Sequence, residues 1–541
     1  MPGWNFADVW ETVAEQIPDA EAQVQGDRRI KWSDFDSRAN GVAQALLDAG
    51  VAEQDKVAQY LYNCPEYLES MFATFKAGLA PINTNYRYLD DELVYLWDNG
   101  DVVAVIFHGS FSERIEGIRA RVPRVRLWLW VDDGEGSCPS WAVPYEQAAA
   151  SGTAERVAGP WGRDGDHLLL LYTGGTTGMP KGVMWRQDDL FRTLVGTFVP
   201  AVRDNDPDDA QTIIREAVTA PGLVGLPACP LMHGTGCFTQ LIVLAGGGCT
   251  VTLESRHLDI TELLETIERE HVNTIAIVGD AFAKPMLRAL DASPGKHDIS
   301  SLFMISSSGV MFSEESKQGL LGHHPGMMIV DAFSSSEALG MGQSVSSAGG
   351  TSTTAKFTLG ENALVITDDG RLVEPGSGET GRVAVGGWQP IGYYKDPDKT
   401  AATFITFEGK RYSVPGDYAT VEADGTLTLL GRGSVCINTG GEKVFPEEVE
   451  EALKTIETVN DAVAVGIPDE KFGEAITAVV ELAPGESLDE GAVIAHVKGK
   501  LAAYKAPKRV LQIDTIGRAP NGKVDYKRLK AWAASELGVG L

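Results

Sequence analysis

The sequence predicts an α/β protein: a large N-terminal domain of doubly wound sheets, a small β-barrel-like subdomain, and a small α+β domain at the C-terminal end. Three observations carry this. Helices and short β-rich runs alternate from Ile30 to Phe107 and again from Asp259 to Glu337, as when helices cover both faces of a mostly parallel sheet. Beyond Gly360 the texture changes to short β segments separated by Gly and Pro turns, which suits a small barrel. At 541 residues the chain also exceeds what one hydrophobic core supports.

Taken in order, Val9 to Ile17 has the apolar spacing of an amphipathic helix. Ser37 to Ala49 reads as a helix, Val57 to Leu61 as a strand, Pro65 to Ala77 as a helix and Leu79 to Asn83 as a strand; the stretch around Asn83 is assigned to packing. Arg203 to Asp209 is a polar surface insertion. Cys237 to Leu244 is an apolar helix that stops at Gly246-Gly247-Gly248. Asp259-Ile260-Thr261-Glu262 spells a capping box and opens a helix to about Glu270. Strands follow at Thr274–Val278, Phe303–Ile305 and Met327–Val330, and the loops after them are site candidates, because ligands of open α/β sheets bind at strand C-termini. The last ~90 residues read as helix, strand, strand, helix, strand, helix.

Composition excludes several classes. A content of 43% hydrophobic and 8% aromatic residues argues for a globular chain. The net charge of −29 argues against nucleic acid and anionic membrane surfaces as partners. The six cysteines form no CxxC pair and no cluster with histidine, so free thiols in a reducing cytoplasm are expected rather than a zinc site or disulfides. The first residues lack a basic region followed by an apolar core, and no apolar run approaches the ~18 residues that span a bilayer. The expectation is a soluble cytoplasmic protein; the oligomeric state is left open, with a homodimer among the options.

Chemistry is concentrated in Leu168 to Val183. An apolar strand delivers the backbone into Thr173-Gly174-Gly175-Thr176-Thr177-Gly178, a loop expected to end at Pro180-Lys181-Gly182 before a new element begins. The glycines let the main chain curve with its N–H groups inward, and the threonine hydroxyls and Lys181 add donors and a positive charge, which is how a loop holds phosphate. The Walker spelling fails because Lys181 stands between Pro180 and Gly182, and the dinucleotide fingerprint fails because the glycines are adjacent.

This stretch resembles the phosphate loop of the adenylate-forming superfamily of acyl-CoA ligases, luciferases and adenylation domains. The resemblance extends over the whole chain. It implies that Phe333 stacks on adenine, that Ser336 and Thr173 meet phosphate, that Glu337 holds Mg²⁺, and that Asp331 and Gly309 border the nucleotide. Asp417 and Arg432 match the ribose contacts, and Gly440 and Gly441 the loop that lines the pantetheine arm of CoA. Arg518 to Val524 matches the mobile lysine loop, in which Lys523 stabilises charge on the transferring group. Thr173, Glu337 and Lys523 are thus the expected residues of chemistry. The resemblance also implies an acyl pocket bordered by His233, Gly234, Cys237, Ser308, Gly309, Val310 and Ser334. It divides the chain into an N-terminal domain at 1–431, a hinge at 432–435 and a mobile C-terminal domain at 436–541.

Residues 498 to 530 carry ten Lys or Arg against Asp514 and Asp525, a basic patch that would draw polyanionic ATP and CoA to an acidic chain; a solvated face is the plainer reading. The implied activity is ATP-dependent acyl-CoA ligation with ATP, Mg²⁺ and CoA. Spelling details such as Gly182-Val183-Met184-Trp185-Arg186 resemble the actinobacterial fatty-acyl ligase branch that includes steroid-side-chain ligases. Rivals are an aryl-CoA ligase or another adenylate-forming enzyme, and a non-catalytic nucleotide- or acyl-binding protein.

Overall fold

The β-rich runs of the N-terminal half lie in the interior, which is why they read as continuous apolar stretches: Val102–His108 is buried at all seven positions and Ala80–Asn83 at all four. In this computed structural model the described residues are 3–175, 178–204, 210–310, 312–350, 355–439, 442–469, 473–519 and 522–540. They divide into two units. Unit 1 comprises Met1–Leu339, Ser344–Ser352 and Gly386–Ser413; unit 2 comprises Gly340–Gln343, Thr353–Val385 and Val414–Leu541.

Unit 1 contains two sheets. One runs in the order Gly392–Tyr393, Gly178–Arg186, Leu168–Gly175, Ala80–Asn83, Lys56–Tyr60, Val102–His108, Leu127–Val131, Val143–Pro144. It is parallel from Leu168–Gly175 onward and antiparallel at the other edge. The second runs Arg28–Lys31, Glu21–Gln25, Cys249–Thr252, Val224–Pro227, Thr274–Ile277, Met304–Ser308, Met328–Ser335, and is parallel except at Arg28–Lys31. The alternation seen in the sequence is therefore a pair of mostly parallel sheets with helices between successive strands.

The helices begin and end where local chemistry dictates. Pro65 opens Pro65–Lys76 from the first helical position, where its missing N–H costs nothing. Asp259 caps Ile260–Arg269 through the Thr261 and Glu262 N–H groups, and that helix buries Leu263, Leu264 and Ile267 as one stripe. Trp32–Asp48 starts ahead of the expected Ser37, because Trp32 and Phe35 are core residues. Met328–Ser335 runs past the expected end at Val330, because its parallel pairing continues through Ser307 with Asp331 and Ser308 with Ala332. No helix among the described residues is long and apolar enough to cross a membrane.

Unit 2 opens with an antiparallel sheet ordered Lys356–Leu359, Thr426–Arg432, Asp417–Val421, Thr380–Val385, Ala363–Ile366. The rest of the unit follows the expected order: helix Pro446–Lys454, strands Val459–Asp469 and Gly473–Leu482, helix Glu490–Lys500, strand Arg509–Gln512, helix Tyr526–Leu537. Its core sits on both faces of the long hairpin Val459–Leu482, where alternate residues feed two apolar clusters.

One ionic cluster anchors the first helix of unit 1. The fully buried Lys76 ammonium meets Glu11 at 2.6 Å and Asp36 at 2.7 Å, and Arg163 reaches Glu11 at 2.6 Å. Lys76→Ala leaves Asp36 without this cation and is expected to cost about 3–5 kcal/mol. A urea midpoint equal to that of the wild type would refute it.

Candidate active site

Leu168–Gly175 and Gly178–Arg186 pair antiparallel, with Thr173 opposite Lys181. The sequence reading placed Lys181 at the end of a loop; the structure places it on a strand, because Gly178–Arg186 has ladder partners on both sides, Leu168–Gly175 and Gly392–Tyr393. Gly174 and Gly175 close the first strand and Gly178 opens the second, while Thr176 and Thr177 lie outside the described residues. The Lys181 ammonium is paired with the Asp396 carboxylate.

Asn83 fixes this hairpin from the neighbouring strand. Its amide donates to the Tyr172 carbonyl at 2.9 Å and the Met232 carbonyl at 2.7 Å, and its oxygen accepts from the Tyr172 N–H at 2.6 Å. A single buried side chain thus ties the residue before Thr173 to the residue before His233. His233 is the N-cap residue of the helix Gly234–Ala245, extended at φ −112° and ψ 150°, and its side chain makes no capping bond. A Cβ on Gly234 would lie 3.4 Å from Leu171 Cδ2, so the helix starts against the strand that leads into the hairpin. Cys237 lies in the core at 2% exposure, and burial pushes its thiol up to about 12.

The second cluster is built on Met328–Ser335 and the turn Ser336-Glu337 that follows it. The fully buried Trp185, on the hairpin strand, donates its indole N–H to the Ser336 carbonyl at 2.9 Å. Tyr393, paired with Val183 of the same strand, donates its hydroxyl to Glu337 Oε1 at 2.8 Å. Ser336 and Glu337 are therefore tied, through Trp185 and Tyr393, to the strand that carries Lys181 and to its edge partner. Parallel register sets Ser308 beside Ala332, and the strand ends there, with Gly309 and Val310 leaving the ladder. Gly309 takes φ +94°, a conformation open to glycine, and is exposed; Val310 packs against the second core and Ser334 is half-buried.

Alternation along Met328–Ser335 turns Ile329, Asp331 and Phe333 inward. The Asp331 carboxylate meets the buried Lys317 ammonium at 3.1 Å. Burial pushes it up to about 6 against the pull of Lys317. That side chain is thereby tied to the helix Glu314–His323. Phe333 is 8% exposed.

In unit 2, Asp417 and Arg432 face each other across paired strands, with Arg432 Nε 3.2 Å from Asp417 Oδ1. The flanking Gly416 and Gly431 take φ +102° and +122°. A Cβ on Gly431 would come within 2.0 Å of the Glu447 carboxylate. Glu447 Oε1 accepts from the Arg432 N–H at 3.5 Å; Oε2 is buried and makes no hydrogen bond among the described residues. Burial, with the Glu450 and Asp417 charges nearby, pushes Glu447 up to about 8. A cleft of about 280 Å³ lined by Arg382, Gly416, Tyr418, Gly433, Cys436, Asn438 and Phe445 adjoins the pair.

Lys523 is exposed and sits after a turn in which Gly522 N–H donates to the Ala519 carbonyl and Ala519 N–H to the Lys523 carbonyl. Arg518 anchors that turn, gripping Asp461 at 2.6 and 2.9 Å and the Gly522 carbonyl at 3.0 Å. Gly440 and Gly441 lie outside the described residues. The basic patch is less free than its spelling: Lys505, Arg509, Arg518 and Lys530 pair with Glu448, Glu490, Asp461 and Glu474.

Residues 10–394 match the AMP-binding enzyme family, and residues 448–523 match the AMP-binding enzyme C-terminal domain. The chain belongs to the AMP-binding enzyme family. It is similar to a 3-oxocholest-4-en-26-oate--CoA ligase of Rhodococcus rhodochrous, 41% identical over 99% of this chain and 96% of the relative. It is also similar to a medium/long-chain-fatty-acid--CoA/3-oxocholest-4-en-26-oate--CoA ligase of Mycolicibacterium smegmatis, 40% identical over 97% and 96%. Among solved structures, the anthranilate CoA ligase AuaEII with anthranoyl-AMP shares the fold at a TM-score of 0.83 and 21% identity over 100% and 99% of the two chains. ATP-bound MatB from Rhodopseudomonas palustris does so at 0.80 and 23% over 99% and 100%.

Sequence reasoning passed over Asn83, Trp185, Asp396 and Glu447. Asn83 had a signal, an amide closing the buried strand Ala80–Asn83, since a buried polar group needs partners. Asn83→Ala strips partners from the Tyr172 backbone and the Met232 carbonyl and is expected to cost about 2–3 kcal/mol; an unchanged urea midpoint would exclude the bridge. Glu447 binds a proton in the folded chain between the ordinary carboxyl value of 4.5 and about 8, so stability falls as pH rises through that window. Glu447→Gln is expected to raise the melting temperature at pH 9 but not at pH 4, and an equal effect at both would remove Glu447 as the titrating group.

Proposed function

We propose that the chain is an ATP-dependent acyl-CoA ligase that adenylates a carboxylic acid and passes the acyl group to CoA, releasing pyrophosphate and AMP. The observation that carries this reading is that the strand bearing Lys181 is tied to Ser336 and Glu337, through the Trp185 bond to the Ser336 carbonyl and through Tyr393, its edge-strand partner, which donates to Glu337. The similarity to ligases for 3-oxocholest-4-en-26-oate and for medium- and long-chain fatty acids supports an aliphatic or steroid side-chain acid as substrate.

In this reading the substrate carboxylate attacks the α-phosphorus of ATP while Thr173, Gly174, Gly175, Thr176, Thr177, Gly178 and Lys181 hold the departing pyrophosphate. Such substitution asks little covalent chemistry of side chains; positioning and charge stabilisation carry the rate. Among the described residues no group of three His, Cys, Asp or Glu could hold a metal by itself. Glu337, with phosphate oxygens and water completing the shell, suits Mg²⁺, which neutralises phosphate charge when bound. Phe333 and Ser336 are assigned to adenine and the α-phosphate, Asp417 and Arg432 to the ribose, and Lys523 to charge in the adenylating transition state.

The thiol of CoA then attacks the acyl carbonyl, and AMP leaves. Gly440 and Gly441 are assigned to the thiol-bearing arm, and His233, Gly234, Cys237, Ser308, Gly309, Val310 and Ser334 to the acyl pocket. We assign 1–431 to the first domain, 432–435 to a hinge and 436–541 to a domain that rotates between the two steps. The chain is proposed to work in the cytoplasm on small molecules, away from nucleic acid, as a monomer or homodimer.

Pyrophosphate release, measured with 3-oxocholest-4-en-26-oate, medium- and long-chain fatty acids and aryl acids, with and without CoA, tests the activity. Turnover with an aliphatic or steroid acid is expected, aryl-only turnover would move the assignment to an aryl ligase, and silence with every acid would leave a binding protein. Lys523→Ala is expected to slow adenylation by roughly a hundredfold or more while sparing thioester formation from supplied acyl adenylate. Equal loss of both steps would contradict domain rotation.

A further inference from the structure

The residues on either side of the short edge strand Gly392–Tyr393 are laid along the hairpin strand by backbone bonds: Ile391 N–H and Tyr394 N–H donate to the Met184 and Gly182 carbonyls at 2.9 and 2.8 Å. Continued in the same line, the next residue toward Lys181 would be Lys395, a second cation. The chain avoids this by bending. Lys395 takes φ +54°, a left-handed conformation that is strained for a side chain of this size, and its ammonium goes to Asp101 Oδ2 at 2.6 Å. The bend delivers Asp396 to Lys181 instead.

The two oxygens of Asp396 have separate work. Oδ1 accepts from the Lys399 N–H at 2.9 Å and caps the helix Pro397–Thr403, while Oδ2 meets Lys181. Thr400 locks the corner, its hydroxyl donating to the Asp396 carbonyl at 2.7 Å and accepting from the Tyr393 N–H at 2.9 Å. The contacts with Lys181 and Lys399 hold the Asp396 carboxyl below the usual carboxylate range, so it is an anion at neutral pH. Solvent reaches the pair, with the Lys181 side chain 40% and the Asp396 side chain 28% exposed. A pair of this kind is weak and exchanges readily.

We infer that Asp396 is the resident counter-anion of Lys181, occupying the ammonium until a phosphate displaces it and reclaiming it when pyrophosphate departs. This rests on the reading that Lys181 serves phosphate. Phosphate must compete with a tethered carboxylate, so the apparent affinity falls in proportion to the fraction of Lys181 left free. Asp396 is thus a positioning residue that favours product release.

The test is binding of magnesium pyrophosphate to the full chain by calorimetry. Asp396→Asn keeps a capping side chain and removes the charge, and Asp396→Ser, a second capping residue, serves should the first fold poorly. Either variant is expected to bind magnesium pyrophosphate roughly two- to fivefold more tightly than the wild type. Lys181→Met is expected to bind weakly, and Lys181→Met combined with Asp396→Asn no more tightly than Lys181→Met alone. Wild-type affinity in Lys181→Met would sink the phosphate role of Lys181 and this inference with it. Weakened binding in Lys181→Met alongside unchanged binding in Asp396→Asn would overturn the counter-anion alone. So would equal tightening by Asp396→Asn in both backgrounds, which would mean the carboxylate acts on phosphate without Lys181.

Discussion

One hydrogen bond, from the Trp185 indole to the Ser336 carbonyl, joins the two sheets of unit 1 where the candidate site lies. The bond itself contributes only about 1 kcal/mol. Burying an indole of 150–250 Å² contributes about 4–6 kcal/mol by area, as an upper bound. Packing therefore holds the ring, and the hydrogen bond decides which carbonyl it faces. Everything charged in the site is referred to that strand: Lys181 lies on it, Glu337 follows the carbonyl it holds, and Tyr393 pairs with it.

The doubly wound halves were legible because buried parallel strands are apolar on both faces and the helices between them carry a stripe with period near 3.6. Motif order was legible too, since glycine and threonine spacing survives without knowledge of the sheet. What the sequence could not convey was direction. Whether Lys181 ends a loop or stands on a strand depends on its pairing with Thr173, which local spelling of glycines and threonines does not declare, and Gly392–Tyr393, far along the chain, adds an edge partner at Val183 and Met184. Whether Asp331 faces a ligand or the core depends on the phase of a strand that was expected to stop at Val330. The phase turns it toward Lys317, and its neighbours Ala332 and Ser334 toward the other side.

Unit 2 raises a different constraint, the cost of burying charge. Glu450 is 5% exposed yet accepts from the Ala464 N–H at 3.0 Å and the Tyr526 hydroxyl at 2.9 Å, whereas Glu447 has one long contact to the Arg432 backbone. Burial with so few donors pushes Glu447 up to about 8. Long-range pairing of this kind leaves no trace in local spelling, because Glu447 reads as one more acid in an acidic helix start. The basic patch shows the converse: ten cations counted along the chain are fewer in effect once four have found carboxylates.

The burial of Cys237 bears on self-modification. An enzyme that carries an acyl adenylate holds an acylating agent beside its own side chains, and a thiolate is the side-chain nucleophile best able to intercept it. Cys237 stands one turn into the helix that His233 caps, in sequence the thiol closest to the proposed acyl pocket. Burial holds its proton up to about 12, so the thiol stays protonated at pH 7. In the proposed pocket, such a helix would face a reactive intermediate with its thiol in the unreactive form, and the acyl group would be left for the soluble thiol that comes to collect it.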